Sequence, residues 1–206
     1  DTTGTKKLFL KKSYGNAPSE ALDMVYITNF NSIDWNLETV RSLEIGYREQ
    51  LSGNLDELGF VVFNNKLFDI ADGDPNGGEL FDSKQNGFES YIMGRLFEGL
   101  RFNLSYTYLD AKVSESGNGV WSGYTKDNQL IRRPMHKLNA SLGWDVTDAL
   151  NFGANFYAGI NREDSSGGQR FEDMSVLRLY GNLKLNENCS LHARIENALN
   201  ESYEWT

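Results

Sequence analysis

The amino-acid sequence predicts an all-β protein, specifically an antiparallel transmembrane β-barrel, and three observations carry that expectation. Polar and apolar residues alternate in repeated segments of roughly ten residues, the pattern of barrel strands. In the stretch 190–197, Leu191, Ala193 and Ile195 fall on one face and Ser190, His192, Arg194 and Glu196 on the other. A period of two means strands with one dry face and one wet face. No run approaches the about 20 consecutive apolar residues that a membrane-spanning helix needs. Short turns alternate with long loops along the chain, which is how outer-membrane barrels separate their two rims. A soluble up-and-down barrel has no reason to segregate its loops in this way.

The expected strands are 5–14, 37–51, 56–68, 85–97, 100–112, 135–146, 149–161, 174–186 and 189–199. The second and third are joined by a short turn at Ser52-Gly53-Asn54. The 56–68 segment is apolar on both faces, with Phe60 and Val62 opposed to Val61 and Phe63. Such a strand meets either a plug inside a barrel or a packed soluble core. Strands 85–97 and 100–112 turn at Glu98-Gly99, and Phe102, Leu104, Tyr106 and Tyr108 alternate with Arg101, Asn103, Ser105 and Thr107. In 135–146, Leu138, Ala140, Leu142 and Trp144 share a face. In 149–161, after a turn at Thr147-Asp148, Leu150, Phe152, Ala154, Phe156, Ala158 and Ile160 do the same. The last two strands meet at Asn186-Glu187-Asn188, and the long connections are 69–84, 113–134 and 162–173. Gly, Asn, Thr and aromatic residues recur within these runs, which disfavours helix. The alternation places Leu104, Leu142 and Phe156 toward lipid and Asn103, Ser141 and Asn155 toward the interior.

Composition agrees. The chain has 206 residues, 13% aromatic, with 20 Gly and 3 Pro. Few prolines suit continuous ladders, and aromatic richness suits interfacial girdles. Tyr14, Trp35, Tyr47 and Trp144 are the girdle candidates. A mean hydropathy of −0.52 fits a barrel, whose strands are apolar only at alternate positions and whose loops are polar. The net charge of −9 argues against a nucleic-acid partner. The single Cys189 forms no internal disulfide. Residue 1 is Asp and no signal peptide is present, so the sequence is expected to be a mature chain or a fragment.

Few motifs carry chemistry. Asp72, Asp74 and Asn76 have the D-x-D-x-N-G form of a calcium loop, with Asp69, Glu79 and Asp82 nearby to complete a shell. Position twelve is Ser83 instead of Glu and no helix flanks the loop, so a solvated acidic turn is the competing reading. No cofactor is required; Ca²⁺ in that loop is the one candidate. His136 and His192 fall on separate strands near opposite ends of the wall, which does not suit a shared metal or a general base. Ser165-Ser166-Gly167-Gly168 reads as loop, not a nucleophile elbow. Trp121 and Tyr124, in the long 113–134 loop, are candidates for stacking on a ligand, with loop packing as the alternative. Arg194, Glu196, Glu89, Arg95, Arg101 and Lys184 fall on the wet face. No catalytic set converges, so no catalytic residue is assigned and no enzyme activity is expected.

Several stretches resemble the C-terminal half of TonB-dependent outer-membrane receptors. Arg194-Ile-Glu-Asn-Ala-Leu-Asn-Glu-Ser-Tyr-Glu resembles the family's R-V-E-N-L-F-D-K-x-Y-E. Trp35-Asn-Leu-Glu-Thr-Val-Arg-Ser-Leu-Glu-Ile-Gly-Tyr resembles N-L-K-P-E-T-S-x-S-x-E-x-G, without its Lys-Pro. Lys12-Ser-Tyr-Gly-Asn-Ala-Pro-Ser-Glu, Gly87-Phe-Glu, Ser105-Tyr-Thr-Tyr-Leu-Asp-Ala and Arg133-Pro-Met-His-Lys-Leu match further family segments in the same order. The resemblance implies that residues 1–206 are part of one receptor barrel domain of about 22 strands, within the range of such barrels. This chain would supply about nine of those strands. The plug, the TonB box, the first half of the barrel and the closing strand would lie outside it.

Within the family the resemblance leans to vitamin B12-type or siderophore receptors. It implies a bacterial outer-membrane importer of a scarce nutrient, such as a ferric siderophore or cobalamin. The implied partners are outer-membrane lipid, a small-molecule chelate, and the TonB complex acting through a plug. The rivals are a passive porin-type barrel and a soluble β-rich carbohydrate-binding domain. A third rival, an outer-membrane enzyme barrel, would need a catalytic set.

Overall fold

In the computed structural model, residues 5–17, 38–71, 80–116, 124–163 and 170–202 are described. The strands are β1 (Lys6–Ala17), β2 (Glu38–Gln50), β3 (Leu55–Ala71), β4 (Leu80–Phe97), β5 (Leu100–Ser116), β6 (His136–Asp145), β7 (Leu150–Ile160), β8 (Arg162–Glu163), β9 (Arg170–Phe171), β10 (Met174–Asn186) and β11 (Cys189–Ile195). Nine of them form one sheet in the order β1-β2-β3-β4-β5-β6-β7-β10-β11, while β8 and β9 make a separate two-stranded ribbon. Every pairing in the large sheet is antiparallel. The fold is therefore a meander in which each strand pairs with its neighbour in sequence, apart from the β8–β9 insertion.

Each expected strand has a counterpart, and the differences in length have local causes. β3, β4 and β5 run several residues further toward the long-loop end than the alternation indicates, to Ala71, from Leu80 and to Ser116. The ladder there tolerates bulges, with register shifts between Leu67 and Ile70 and between Asp82 and Ser83. Asp69 sits in the first of these at φ 56°, and its N–H donates to Asp82 Oδ1 at 3.0 Å. Asp tolerates the left-handed region better than most residues, and a bulge interrupts an alternation pattern without ending the strand. β11 ends at Ile195, short of the expected 199, because Asn197 and Asn200 adopt φ values of 49° and 55°. The short ribbon β8–β9 has no period to read in two-residue strands.

The short turns are built as the sequence indicates. Gly99 lies at φ 82°, and a Cβ there would meet Asp145 O at 2.6 Å, so both conformation and space require glycine. The β6–β7 turn is closed by Thr147, whose Oγ1 accepts from the N–H of Leu150 at 3.0 Å.

The two faces of the sheet differ sharply. On one face Leu58, Ile92, Leu104, Ala140, Phe156 and Leu177 lie opposite one another across six strands. This face is apolar and exposed: Leu104 is 41%, Leu142 43% and Leu191 59% accessible. On the other face Met93, Asn103, Ser141, Asn155 and Arg178 form the neighbouring row. Leu104, Leu142 and Phe156 thus share one face, and Asn103, Ser141 and Asn155 the other, as the alternation divides them. A soluble protein buries such residues; a continuous exposed apolar face marks contact with a partner or a membrane. The strand apolar on both sides is explained as well. Phe60 and Val62 point outward and are 43% and 47% exposed, whereas on the inner face the Phe63 ring covers the space beside Gly87.

Candidate functional site

The inner face is built from polar side chains held by neighbouring strands. Gly59 stands between Arg48 on β2 and Tyr91 on β4. A Cβ at position 59 would overlap the Tyr91 ring, so glycine lets that ring lie flat across β3. The Tyr91 hydroxyl then donates to Glu57 Oε1 at 2.6 Å, and Arg48 Nη2 donates to Glu57 Oε2 at 2.5 Å. Phe9 over Gly46 and Tyr180 over Gly153 repeat the arrangement. Missing side chains on one strand are thus filled by rings from the next, and the wall stays densely packed on its wet side.

The charged residues expected on the wet face are there, and most are paired. Glu196 accepts from Arg178 Nε at 2.6 Å and pairs with Arg194 Nε at 2.8 Å, clamping β10 to the end of β11. Arg95 and Arg101 stand directly opposite each other. Each takes its own carboxylate, Asp56 at 3.5 Å and Asp145 at 2.8 Å. Glu89 lies opposite Val61 and Thr107, and Lys184 opposite Ser190. Exposed pairs of this kind contribute roughly 0–1 kcal/mol each, so their role is to set the polarity of the surface more than to hold it together.

Among the described residues, the loop end carries a compact apolar cluster that the alternation does not reveal. Phe81, Ala111, Val113 and Leu130 are buried together, with Ile70, Leu109 and Tyr124 packed against them. The segment after Tyr124 runs beside β5. Asp127 N–H donates to Val113 O, Val113 N–H to Asn128 O, and Leu130 N–H to Ala111 O, at 2.7–2.9 Å. With its amide oriented to satisfy its neighbours, Gln129 donates to Asp110 Oδ1 and accepts from Ala111 N–H, both at 3.2 Å. Lys126 pairs with Glu115 at 3.0 Å; that hydrogen bond and charge hold the ammonium above its ordinary pKa. Arg133-Pro134-Met135-His136 ties three strands. Met135 O accepts from Leu109 N–H, and Met135 N–H donates to Asn161 O. The Ser83 hydroxyl is buried beneath this rim without a hydrogen-bond partner in the structure.

The sequence-based site candidates are placed as follows. The Tyr124 ring stacks on Phe81, with centroids 4.3 Å apart and planes at 17°, so one face of the ring serves the rim cluster. Trp121, Asp72, Asp74, Asn76, Glu79, Trp35 and the Ser165-Ser166-Gly167-Gly168 segment lie outside the described residues. His136 is at the loop end, its Nδ1 2.7 Å from the Tyr106 hydroxyl. His192 is near the short-turn end and contacts Asn182. Trp144 packs edge-on against Phe97 at 6.1 Å near a short turn, and Tyr14 is 64% exposed toward the loop end. Aromatic residues therefore mark both ends of the outer face. What the sequence did not disclose is the Phe81–Leu130 cluster, because its members come from three separate segments.

A family model described as "TonB dependent receptor-like, beta-barrel" matches residues 12–198. The chain belongs to that family. Solved structures share the fold. The siderophore receptor PiuA from Acinetobacter baumannii has a TM-score of 0.73 at 18% identity over 96% of this chain and 30% of that one. The copper transporter OprC has a TM-score of 0.73 at 14% identity over 97% and 32%. The ferripyoverdine receptor of the outer membrane of Pseudomonas aeruginosa, bound to ferripyoverdine, has 0.67 at 16% over 96% and 28%. Among curated proteins no relative matches. The chain spans about a third of the length of the receptors it resembles. In a TonB-dependent receptor barrel the apolar outer face and wet inner face are the lipid-facing and lumen-facing walls.

Proposed function

We propose that this chain forms part of the barrel wall of an outer-membrane TonB-dependent importer, with residues 1–206 belonging to one barrel domain. The observation that carries the reading is the exposed apolar face spanning nine strands above a polar, ion-paired inner face. A lipid environment makes that face favourable, because removing apolar area from water is worth about 25 cal/mol per Å². The membrane is the bacterial outer membrane, and the long-loop end faces the medium. The cargo class is a scarce nutrient held as a chelate, with a ferric siderophore favoured by the receptors that share the fold. The chain's own part is to present a rigid wall and a loop rim. A plug lying outside these residues would receive the pull of the TonB complex. Trp121 and Tyr124 are the proposed ligand-stacking residues on the rim. Asp72, Asp74 and Asn76 are the proposed weak Ca²⁺ ligands. No step involves bond-making chemistry.

The test is uptake by cells carrying the full receptor. Radiolabelled iron is supplied on a panel of siderophores, with and without functional TonB. Uptake of at least one chelate that requires both the receptor and TonB supports the reading. TonB-independent passage of many small solutes would support a porin instead.

A further inference from the structure

One stretch of the inner wall is hollow, in contrast to the ring-filled β1–β4 side. On β6 the inward side chains shorten from the loop end to the short-turn end: Lys137, Asn139, Ser141, then Gly143. Asn139 and Ser141 face Ser105 and Asn103 on β5, and Tyr157 and Asn155 on β7. Rings cover Gly46, Gly59 and Gly153, but no atom lies within 4 Å of where a Cβ at Gly143 would stand. The Tyr180 ring over Gly153 forms a bank beside that gap. Two cavities result. One, of about 280 Å³, lies among Asn139, Ser141, Asn155, Tyr157 and Arg178. The other, of about 340 Å³, lies among Arg101, Asn103, Ser141, Gly143 and Tyr180. They meet at Ser141 and form one open trough over β6.

The trough is polar without being charged. Asn103, Asn139 and Asn155 bring carboxamides to it, and Ser105 and Ser141 bring hydroxyls. Asn139 Nδ2 donates to Ser105 Oγ at 3.3 Å. Among the described residues the side chains of Asn103, Ser141 and Asn155 make no hydrogen bond, which leaves their donors and acceptors to a solute. The guanidiniums at its margins are paired. Arg178 holds Glu196 at 2.6 Å, Arg101 holds Asp145 at 2.8 Å and Arg95 holds Asp56 at 3.5 Å. Lys137 stands at the loop-end mouth. The β2–β4 side differs, because there Arg48, Glu57 and Tyr91 satisfy one another.

Size and chemistry define the occupant. From Asn139 to Gly143 is about 13 Å of strand, or roughly 10 Å along the membrane normal at a tilt of about 40°. From β5 to β7 is two strand spacings, about 10 Å. Small-molecule sites run to roughly 300–1,000 Å³, and the joined cavities reach that range. Amides and hydroxyls donate and accept alike, so they suit an uncharged solute rich in oxygen. Passage through a pore needs contacts that admit a solute and then release it. Neutral groups spaced along a strand meet that need, whereas free cations would hold an anion in place. Each guanidinium at the margin already has its carboxylate, so an anionic solute gains little here.

We propose that the trough over β6 stays water-filled beside the plug and is the lane along which a net-neutral, oxygen-rich chelate crosses the lumen. The inference rests on the importer reading and narrows its cargo. A ferric trihydroxamate is net-neutral, whereas a ferric tricatecholate is triply anionic. The lane favours the first. Asn103, Ser141 and Asn155 line it, and Gly143 keeps its short-turn end open.

The test has two arms, both on the full receptor. In the first, Ser141→Cys and Gly143→Cys, each in a Cys189→Ser background, are treated with an uncharged maleimide in detergent. Both thiols are expected to react in the folded protein. Thiols that are protected when folded and released in urea would place a plug segment in the trough and overturn the lane. In the second, cells with functional TonB are given radiolabelled iron as a trihydroxamate or as a tricatecholate. The native receptor is expected to import the trihydroxamate faster. Gly143→Trp loses that uptake while chelate binding at the cell surface stays unchanged, and Gly143→Ala, whose Cβ enters open space, retains it. A bulky maleimide placed on Gly143→Cys after assembly reproduces the loss without any demand on folding, which heat-modifiable mobility checks for every variant. Native uptake by the adduct-bearing receptor overturns the lane, and so does import of the tricatecholate alone; the importer reading survives both. Open thiols in a receptor that imports no chelate by way of TonB refute the importer reading and the lane with it.

Discussion

Replacing Leu104 by Arg tests the orientation of the wall where the sheet is most informative. Leu104 lies four residues from Leu100, which pairs with Trp144 at the short-turn end, and four from Tyr108, which pairs with His136 at the loop end. Along the strand that is about 13 Å either way, or roughly 10 Å along the membrane normal at a tilt of about 40°. The position is thus near the midplane of an apolar band about 25 Å tall. Arg there is expected to cost about 2–4 kcal/mol. At 1.4 kcal/mol per decade, a mid-range cost shifts the folding equilibrium on the order of 100-fold. Leu142 lies two residues from Trp144, so Leu142→Arg reaches the interface more easily and costs less. Asn103→Arg and Ser141→Arg project into the wet interior and are expected to cost under about 1 kcal/mol. The assay is urea-dependent folding of the full receptor into lipid vesicles. Equal destabilisation by Leu104→Arg and Asn103→Arg would refute the facing assignment.

Further expectations concern packing, the rim, the sheet edges and the acidic loop. Gly59→Ala should destabilise by about 1–3 kcal/mol by displacing the Tyr91 ring, and the penalty should shrink in a Tyr91→Ala background; denaturant titration of the double-mutant cycle checks this, and additive penalties would contradict it. Ser83→Ala removes a buried hydroxyl that has no partner, so the change should be neutral or stabilising; a loss of more than about 1 kcal/mol in the same titration would show that a partner exists. Residues 1–206 expressed alone leave β1 and β11 as open edges and should aggregate without detergent, since unpaired strand edges and apolar faces associate; a monodisperse, cooperatively unfolding monomer in sedimentation would favour the soluble-domain rival. Calorimetric titration of the full receptor with Ca²⁺ should show weak binding, roughly 10⁻⁴–10⁻³ M, that is lost in Asp72→Ala/Asp74→Ala; identical heats in the two proteins would leave a solvated turn.

The fold was legible because a period of two survives wherever one face is dry and the other wet. Leu150 to Ile160 shows it at its clearest, and β7 matches that reading within a residue at each end. Legibility failed where the cause lies on another strand or in a single backbone angle. Nothing near Gly59 in sequence announces the Tyr91 ring that needs its space. The bulge at Asp69 hides how far β3 runs. Tyr124 reads as a loop aromatic until Phe81, distant in sequence, is placed beneath it. The same holds for Asn103, Ser141 and Asn155: each is an ordinary polar residue in its own strand, and only the cross-strand register makes them neighbours. The polar inner face was predictable as a class of residue. Its pairings, such as Glu57 with both Arg48 and Tyr91, were not.

The most direct measurement is a nitroxide scan along β5 of the full receptor in lipid vesicles, with single cysteines at positions 101–106 in a Cys189→Ser background. Collision with oxygen, which concentrates in acyl chains, should be high at Phe102, Leu104 and Tyr106. Collision with a water-soluble nickel chelate should be high at Arg101, Asn103 and Ser105. A strict two-residue alternation between the two quenchers is the expected result. Equal access of the nickel chelate to both sets of positions would contradict a barrel wall with lipid on one side and a wet lumen on the other.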